Sequence, residues 1–126
     1  MSELSDFLRS TRNKPFEWGK NDCCTLACGA VIAQKGYDPM EEYRGRYSTK
    51  IGAKRALTKF GHDSVTAAFD EKFERVPYAF ARFGDLVQMD TGEMGVKTNR
   101  GVWVISFTGG TENYPDPKTV ITAWRV

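Results

Sequence analysis

Apolar residues recur at helical spacing through the first two-thirds of the chain and at strand spacing through the last third. Ser2 heads a segment with Leu4, Phe7 and Leu8 on one face, which predicts a capped helix running to about Arg12. Asn13-Lys14-Pro15 breaks that pattern, and residues 16–21 read as a loop anchored by Phe16 and Trp18. From Cys23 to Lys35 the residues are small or apolar on every side, the signature of a helix buried all round. Asp22 stands at its N-cap, and Gly36 follows Lys35 where a left-handed stop belongs. Residues 38–43 predict a short turn with Pro39 at its first helical position. Ser48 or Thr49 caps a helix over residues 51–60, with Ile51, Ala53, Ala56, Leu57 and Phe60 as its expected inner face. Asp63 or Ser64 opens one more, to about Phe69.

After Gly84 the period shortens. Residues 85–89, 94–97, 102–107 and 120–124 are strand-like, punctuated at Thr91-Gly92, Asn99-Arg100-Gly101, Gly109-Gly110 and Pro115-Asp116-Pro117. Links this short favour an antiparallel meander. The expected fold class is therefore α+β: N-terminal helices, with the buried Cys23 helix packed on a C-terminal, curled antiparallel sheet of four or more strands. Residues 1–126 read as a single domain.

Composition narrows the function classes. No apolar run is long enough to cross a bilayer, and the N-terminus lacks the layout of a secretory signal. The expected setting is a cytoplasm, or export as part of something larger. The 18 basic residues are scattered among 16 acidic ones, for a net charge of +2, so charge gives no footprint for nucleic acid. The basic turn of Lys97 to Arg100 ahead of Trp103 reads as a solvated hairpin end. Trp18, Trp103 and Trp124 read as core or interface anchors.

Cys23, Cys24 and Cys28 lie within six positions, too close together for a disulfide framework. Cys23 opens the buried helix, where converging N–H groups and the helix dipole favour a thiolate. All three equally suit a core, because unpaired cysteine behaves as a small apolar residue. Cys24 and Cys28 share a helix face, yet a closed metal site needs four ligands and the chain supplies no second Cys/His group. No cofactor or metal is expected.

The stretch Trp18-Gly19-Lys20-Asn21-Asp22-Cys23-Cys24-Thr25-Leu26, followed about sixty residues later by Phe83-Gly84-Asp85-Leu86-Val87, resembles the NlpC-type, papain-like cell-wall cysteine hydrolases. The resemblance implies that Trp18, Asp22, Gly84 and Asp85 belong to the scaffold motifs. It places Cys23 at the nucleophile position. The next strand should bring in the catalytic histidine, at a position that falls on Glu93. Phe16-x-Trp18-Gly19-x-x-Asp22-Cys23 is also similar to small proteins encoded beside phage tail genes.

Glu93 changes what the resemblance implies. A cysteine hydrolase needs a group that takes the thiol proton and returns one to the leaving amine, and imidazole does both near neutral pH. A carboxylate beside the sulfur instead opposes the thiolate. The single histidine, His62, is expected on an exposed turn after Gly61. The expectation is a phage tail-tip or tail-assembly component on a degenerate hydrolase scaffold, binding other tail or baseplate proteins through exposed aromatics such as Phe80, Phe83 or Tyr114. It would be made in the host cytoplasm and carried in the virion tail. The alternatives are an active peptidoglycan endopeptidase with Cys23 as nucleophile and His62 as base, and a thiol metal or redox module.

Overall fold

A computed structural model describes residues 2–12, 14–105 and 120–126, together with the backbone of 111–114. Among these residues the elements run α1 (Glu3–Thr11), α2 (Cys23–Lys35), α3 (Lys50–Lys59), α4 (Val65–Lys72), then β1 (Leu86–Met89), β2 (Met94–Thr98), β3 (Gly101–Ile105), β4 (Thr111–Tyr114) and β5 (Val120–Trp124). Short 3-10 turns occupy Glu41–Tyr43 and Tyr78–Phe80. The fold is α+β.

Each helix starts where a side-chain oxygen can take an otherwise orphaned N–H. Ser2, Asp22, Thr49 and Ser64 accept from Ser5, Thr25, Gly52 and Ala67. Gly36 ends α2 in the left-handed region at φ 78°. The fourth helix runs to Lys72, past the expected stop near Phe69, because Phe73 is the first residue with extended backbone.

The strands form one open antiparallel sheet in the order β4-β3-β2-β1-β5, so the C-terminal strand returns to lie beside β1. Strand β4, between the two glycines at 109–110 and Pro115, was not among the strand-like runs. Its four residues, Thr-Glu-Asn-Tyr, carry no apolar alternation, and cross-strand pairing with β3 is what makes them a strand. The expected turns at 109–110 and 115–117, and residues 106–107 of the third expected run, lie outside the described residues.

Both faces of the sheet are covered. Leu86, Met94, Val96, Ile105 and Trp124 face the helices, where Leu4, Leu8, Leu26, Ala30 and Val31 complete the main core. Val87, Met89, Val102, Val104 and Ala123 face the other way, beneath Val76, Tyr78 and Ala81. The period of two along each strand sorts them. The 74–76 segment also pairs with the open edge of β5, through Val76 N–H to Ala123 O at 2.9 Å and Arg125 N–H to Glu74 O at 2.9 Å.

Helix α2 is the centre of this arrangement, with α1 and β2 as its neighbours. Its burial is complete from Thr25 to Val31 and lapses at Ile32, which is 39% exposed. Each fully buried Leu or Val on it contributes about 1.5–3 kcal/mol. Gly29 lets the two helices touch: a Cβ there would fall 2.3 Å from Cζ of Phe7. The expected inner face of α3 needs one correction. Ala56 is buried, but Ile51 is 65% exposed, since it sits in the first turn where α3 has not yet reached the core.

Candidate functional site

The loop ahead of α2 is folded tightly onto itself. Glu17 and Asn21 exchange backbone bonds of 3.0 and 2.8 Å, and the Asn21 amide donates to Pro15 O at 2.7 Å. Phe16 and Trp18 pack edge to face at 5.0 Å, which anchors Trp18 half-buried beside the site.

Asp22 is 1% exposed, and both of its carboxylate oxygens are in use. Oδ1 accepts from Thr25 N–H at 2.9 Å while the Thr25 hydroxyl accepts from Asp22 N–H at 2.8 Å, a reciprocal capping box. Oδ2 takes the Gly19 N–H at 2.8 Å and the Tyr47 hydroxyl at 2.6 Å. Burial and the Asp22 carboxylate hold the Tyr47 phenol far above its usual pKa, so it stays a donor. Asp22 thus welds the loop, the helix start and the 47–49 segment together.

Cys23 is the first residue of α2 and is half-buried. The Cys24 thiol draws the Cys23 pKa below its ordinary value; burial opposes this, the Met94 backbone N–H assists, and the Asp22 and Glu93 charges oppose it more weakly. Cys24 moves the other way, well up, through the same contact and through burial. Of the pair, Cys23 ionises first. Glu93 therefore acts on Cys23 in the direction expected of a carboxylate, without overturning the net shift. The β1–β2 turn delivers it: Met89 N–H bonds to Glu93 O at 2.8 Å, and Gln88 pairs with Met94.

The other motif fixes the far end of α2. Gly84 has φ 96°, and a Cβ on it would fall 2.2 Å from the Gln34 amide oxygen. Gln34 Nε2 in turn donates to Gly84 O at 2.9 Å, tying the helix to the strand entry. Asp85 is 3% exposed and serves the C-terminus, accepting from Arg82 N–H at 2.8 Å, Arg125 Nε at 2.9 Å and Val126 N–H at 3.0 Å. Asp85 is a structural anchor.

His62 is not the exposed turn residue expected. It is 8% exposed, with Nδ1 bonded to the Tyr43 hydroxyl and Nε2 to the Glu71 carboxylate. The positive φ of Gly61 turns the chain back, so His62 N–H caps α3 on Leu57 O at 2.8 Å and its ring enters the helical layer. With both ring nitrogens engaged there, His62 makes no bond to Cys23. The assignment of His62 as base to Cys23 is not what this geometry provides.

Tyr43, Tyr47 and Glu71 were missed in the sequence. A tyrosine and a glutamate 19 residues before and nine after a histidine carry no periodic signal, and only the packing of the 3-10 turn on α3 and α4 joins them. Cys24 and Cys28 do share a face, as expected, and line an apolar pocket of about 70 Å³ with Met40, Tyr43, Leu57 and Phe69. Burial, reinforced by Asp38, pushes the Cys28 thiol far up, so these two sulfurs are protonated core groups. Among the described residues no three His, Cys, Asp or Glu side chains converge as a metal site would require.

The sequence model of one family, described as Domain of unknown function (DUF6950), matches residues 1–126. The chain belongs to that family. No curated protein matches it. Among the described residues no helix is long and apolar enough to cross a membrane.

Proposed function

We propose that this family member is a protein-binding component built on a hydrolase-like scaffold that has lost hydrolysis, and that it serves in phage tail-tip or tail assembly. The observation that carries the loss of hydrolysis is the surroundings of Cys23. Its sulfur has a thiol, a backbone N–H and two carboxylates nearby, while the chain's only imidazole is engaged by Tyr43 and Glu71. A thiolate attacks a carbonyl, but the tetrahedral intermediate collapses forward only when an acid protonates the leaving amine. Imidazole, which titrates near neutral pH, is the side chain suited to that step, and the chain's one imidazole is held elsewhere.

The tail assignment rests on the likeness of residues 16–23 to proteins encoded beside phage tail genes. The binding role is supported by Phe80 and Phe83, which are 69% and 38% exposed. The side chain of Tyr114, the third expected contact, lies outside the described residues. The partners would be other tail or baseplate proteins, met in the host cytoplasm before the virion is complete.

A second reading, a working peptidoglycan endopeptidase, draws on the lowered pKa and half-exposure of Cys23. Digestion of purified peptidoglycan separates the two. Wild type and Cys23→Ser are expected to release no peptide fragments. Release by wild type that Cys23→Ser abolishes overturns the proposal. Co-purification of the chain with assembled tails tests the setting, and its absence from tails and from assembly intermediates removes that part.

A further inference from the structure

The turn between β2 and β3 and the outer face of α1 enclose a groove of about 390 Å³ that no motif anticipates. Three arginines line it: Arg9 and Arg12 from α1, and Arg100 from the turn. Its floor is apolar, made by Leu8 and the half-buried Trp103, and Phe83 stands at the rim. Arg9 has Asp6 at 3.6 Å. No carboxylate among the described residues pairs with Arg12 or Arg100. Arg12 and Arg100 therefore bring positive charge to one groove with no carboxylate paired to either among the described residues, and a bound anion offsets that charge.

The aromatic floor decides between classes of anionic partner. The Arg12 guanidinium lies over the Trp103 ring at 5.7 Å, and the indole N–H is donated to Thr11 Oγ1 at 3.1 Å. Arg12 thus occupies one face of the ring and the polar handle is used, which disfavours the indole as a platform on which a base could stack. Three cations and a net charge of +2 are also few for a phosphate backbone, which is held by many contacts at once. Carboxylates beside an apolar side chain match this groove better, since arginine forks pair with carboxylates in two-bond geometry and leave the floor to the apolar group.

We propose that this groove holds a short acidic segment of a partner protein, its carboxylates on Arg12 and Arg100 and an apolar side chain between Leu8 and Phe83. The proposal rests on the protein-binding reading above and names the chemistry of the partner.

The test is fluorescence anisotropy with three labelled probes: a short peptide alternating Glu or Asp with Leu, its Gln/Asn counterpart, and a single-stranded oligonucleotide of equal formal charge. The acidic peptide is expected to bind in dilute salt and to weaken steeply as salt rises from about 0.05 to 0.3 M. The uncharged counterpart is expected not to bind. Arg12→Gln and Arg100→Gln should each weaken the acidic peptide about fivefold, and together should remove it. Lys50→Gln, on the exposed start of α3, should leave it unchanged. Arg100 projects from a turn, so Arg100→Gln keeps the test decisive even if Arg12→Gln disturbs Trp103. Absent binding of the acidic peptide, equal binding by the double variant, or tighter binding of the oligonucleotide overturns the proposal. Peptidoglycan digestion by the same preparations reads the parent proposal separately: fragment release with the groove still binding sinks the parent alone, and no release with a silent groove sinks the groove alone.

Discussion

The start of α2 and the turn after α3 hold the two groups that a cysteine hydrolase would join, and the protein uses them in opposite ways. Cys23 is half-buried, and its thiol is drawn toward ionisation by Cys24 and the Met94 N–H. Its surroundings favour a charge, and the chain's single imidazole is bonded elsewhere. His62 is buried and bonded through both nitrogens to Tyr43 and Glu71, which holds the 3-10 turn, α3 and α4 together. One site leaves a thiol half-buried at a helix start, and the other spends the chain's imidazole on a structural clamp. A residue type associated with catalysis says little until its hydrogen bonds are known.

Substitution at His62 is the strongest way to break this comparison. His62→Ala removes a buried ring and leaves the Tyr43 hydroxyl without its partner, and it is expected to cost about 3 kcal/mol of unfolding free energy in urea. Cys23→Ala at the half-buried end should cost less than about 1 kcal/mol. If the two losses came out equal, His62 would not be the clamp described. Asp22→Ala should come next, at about 2 kcal/mol, because it strands the Thr25 and Gly19 N–H groups and the Tyr47 hydroxyl together. Thermal unfolding measures it, and a change within a few tenths of a kcal/mol would mean that the loop holds its shape without the carboxylate.

The chemistry at Cys23 is sharpened by a smaller effect. Glu93→Gln removes a charge that opposes the thiolate, so the pH midpoint of iodoacetamide alkylation at Cys23, followed by mass spectrometry, should fall further below the ordinary thiol value. A midpoint that rises would place Glu93 on the stabilising side. Cys28 should stay unmodified throughout, since burial keeps it protonated.

Acid gives the mildest contrast. Asp70 lies beside Glu71 on α4, and the Arg75 guanidinium and then the Trp124 N–H hold its carboxyl down at about 2, from an ordinary 3.8. A depressed carboxyl adds stability that is present above its unfolded value and is lost as pH falls through the folded one. The contribution is therefore intact above about pH 4 and disappears toward pH 2. Asp70→Asn should cost under about 1 kcal/mol at pH 7, as the pair is partly exposed, and should flatten the stability curve between those two values. An unchanged acid limb in the variant would remove Asp70 from the account.

Much of the fold was legible because its signals are local. Ser2, Asp22, Thr49 and Ser64 cap helices within three residues of themselves, Gly36 stops α2 through its own backbone angle, and four of the five strands show apolar runs bounded by turn residues. Strand β4 was not legible, because Thr111 to Tyr114 owe their conformation to β3. The candidate site divides along the same line. The position of Cys23 at a helix start followed from the Asp22 cap and the apolar stretch behind it. The partners of His62 did not, because Tyr43 and Glu71 reach it only after three helical elements have packed.

By itself, then, the sequence determined the helix starts to within a residue, the stop of α2 at Gly36, the change from helices to sheet, and the absence of any second imidazole, since each depends on residues near one another or on a simple count. Tertiary structure alone decided that His62 faces inward, that Cys23 ionises ahead of Cys24, and that Arg12 and Arg100 share a groove. Those outcomes turn on burial and on distances between residues far apart in the chain, and charge interactions and desolvation are set by such distances.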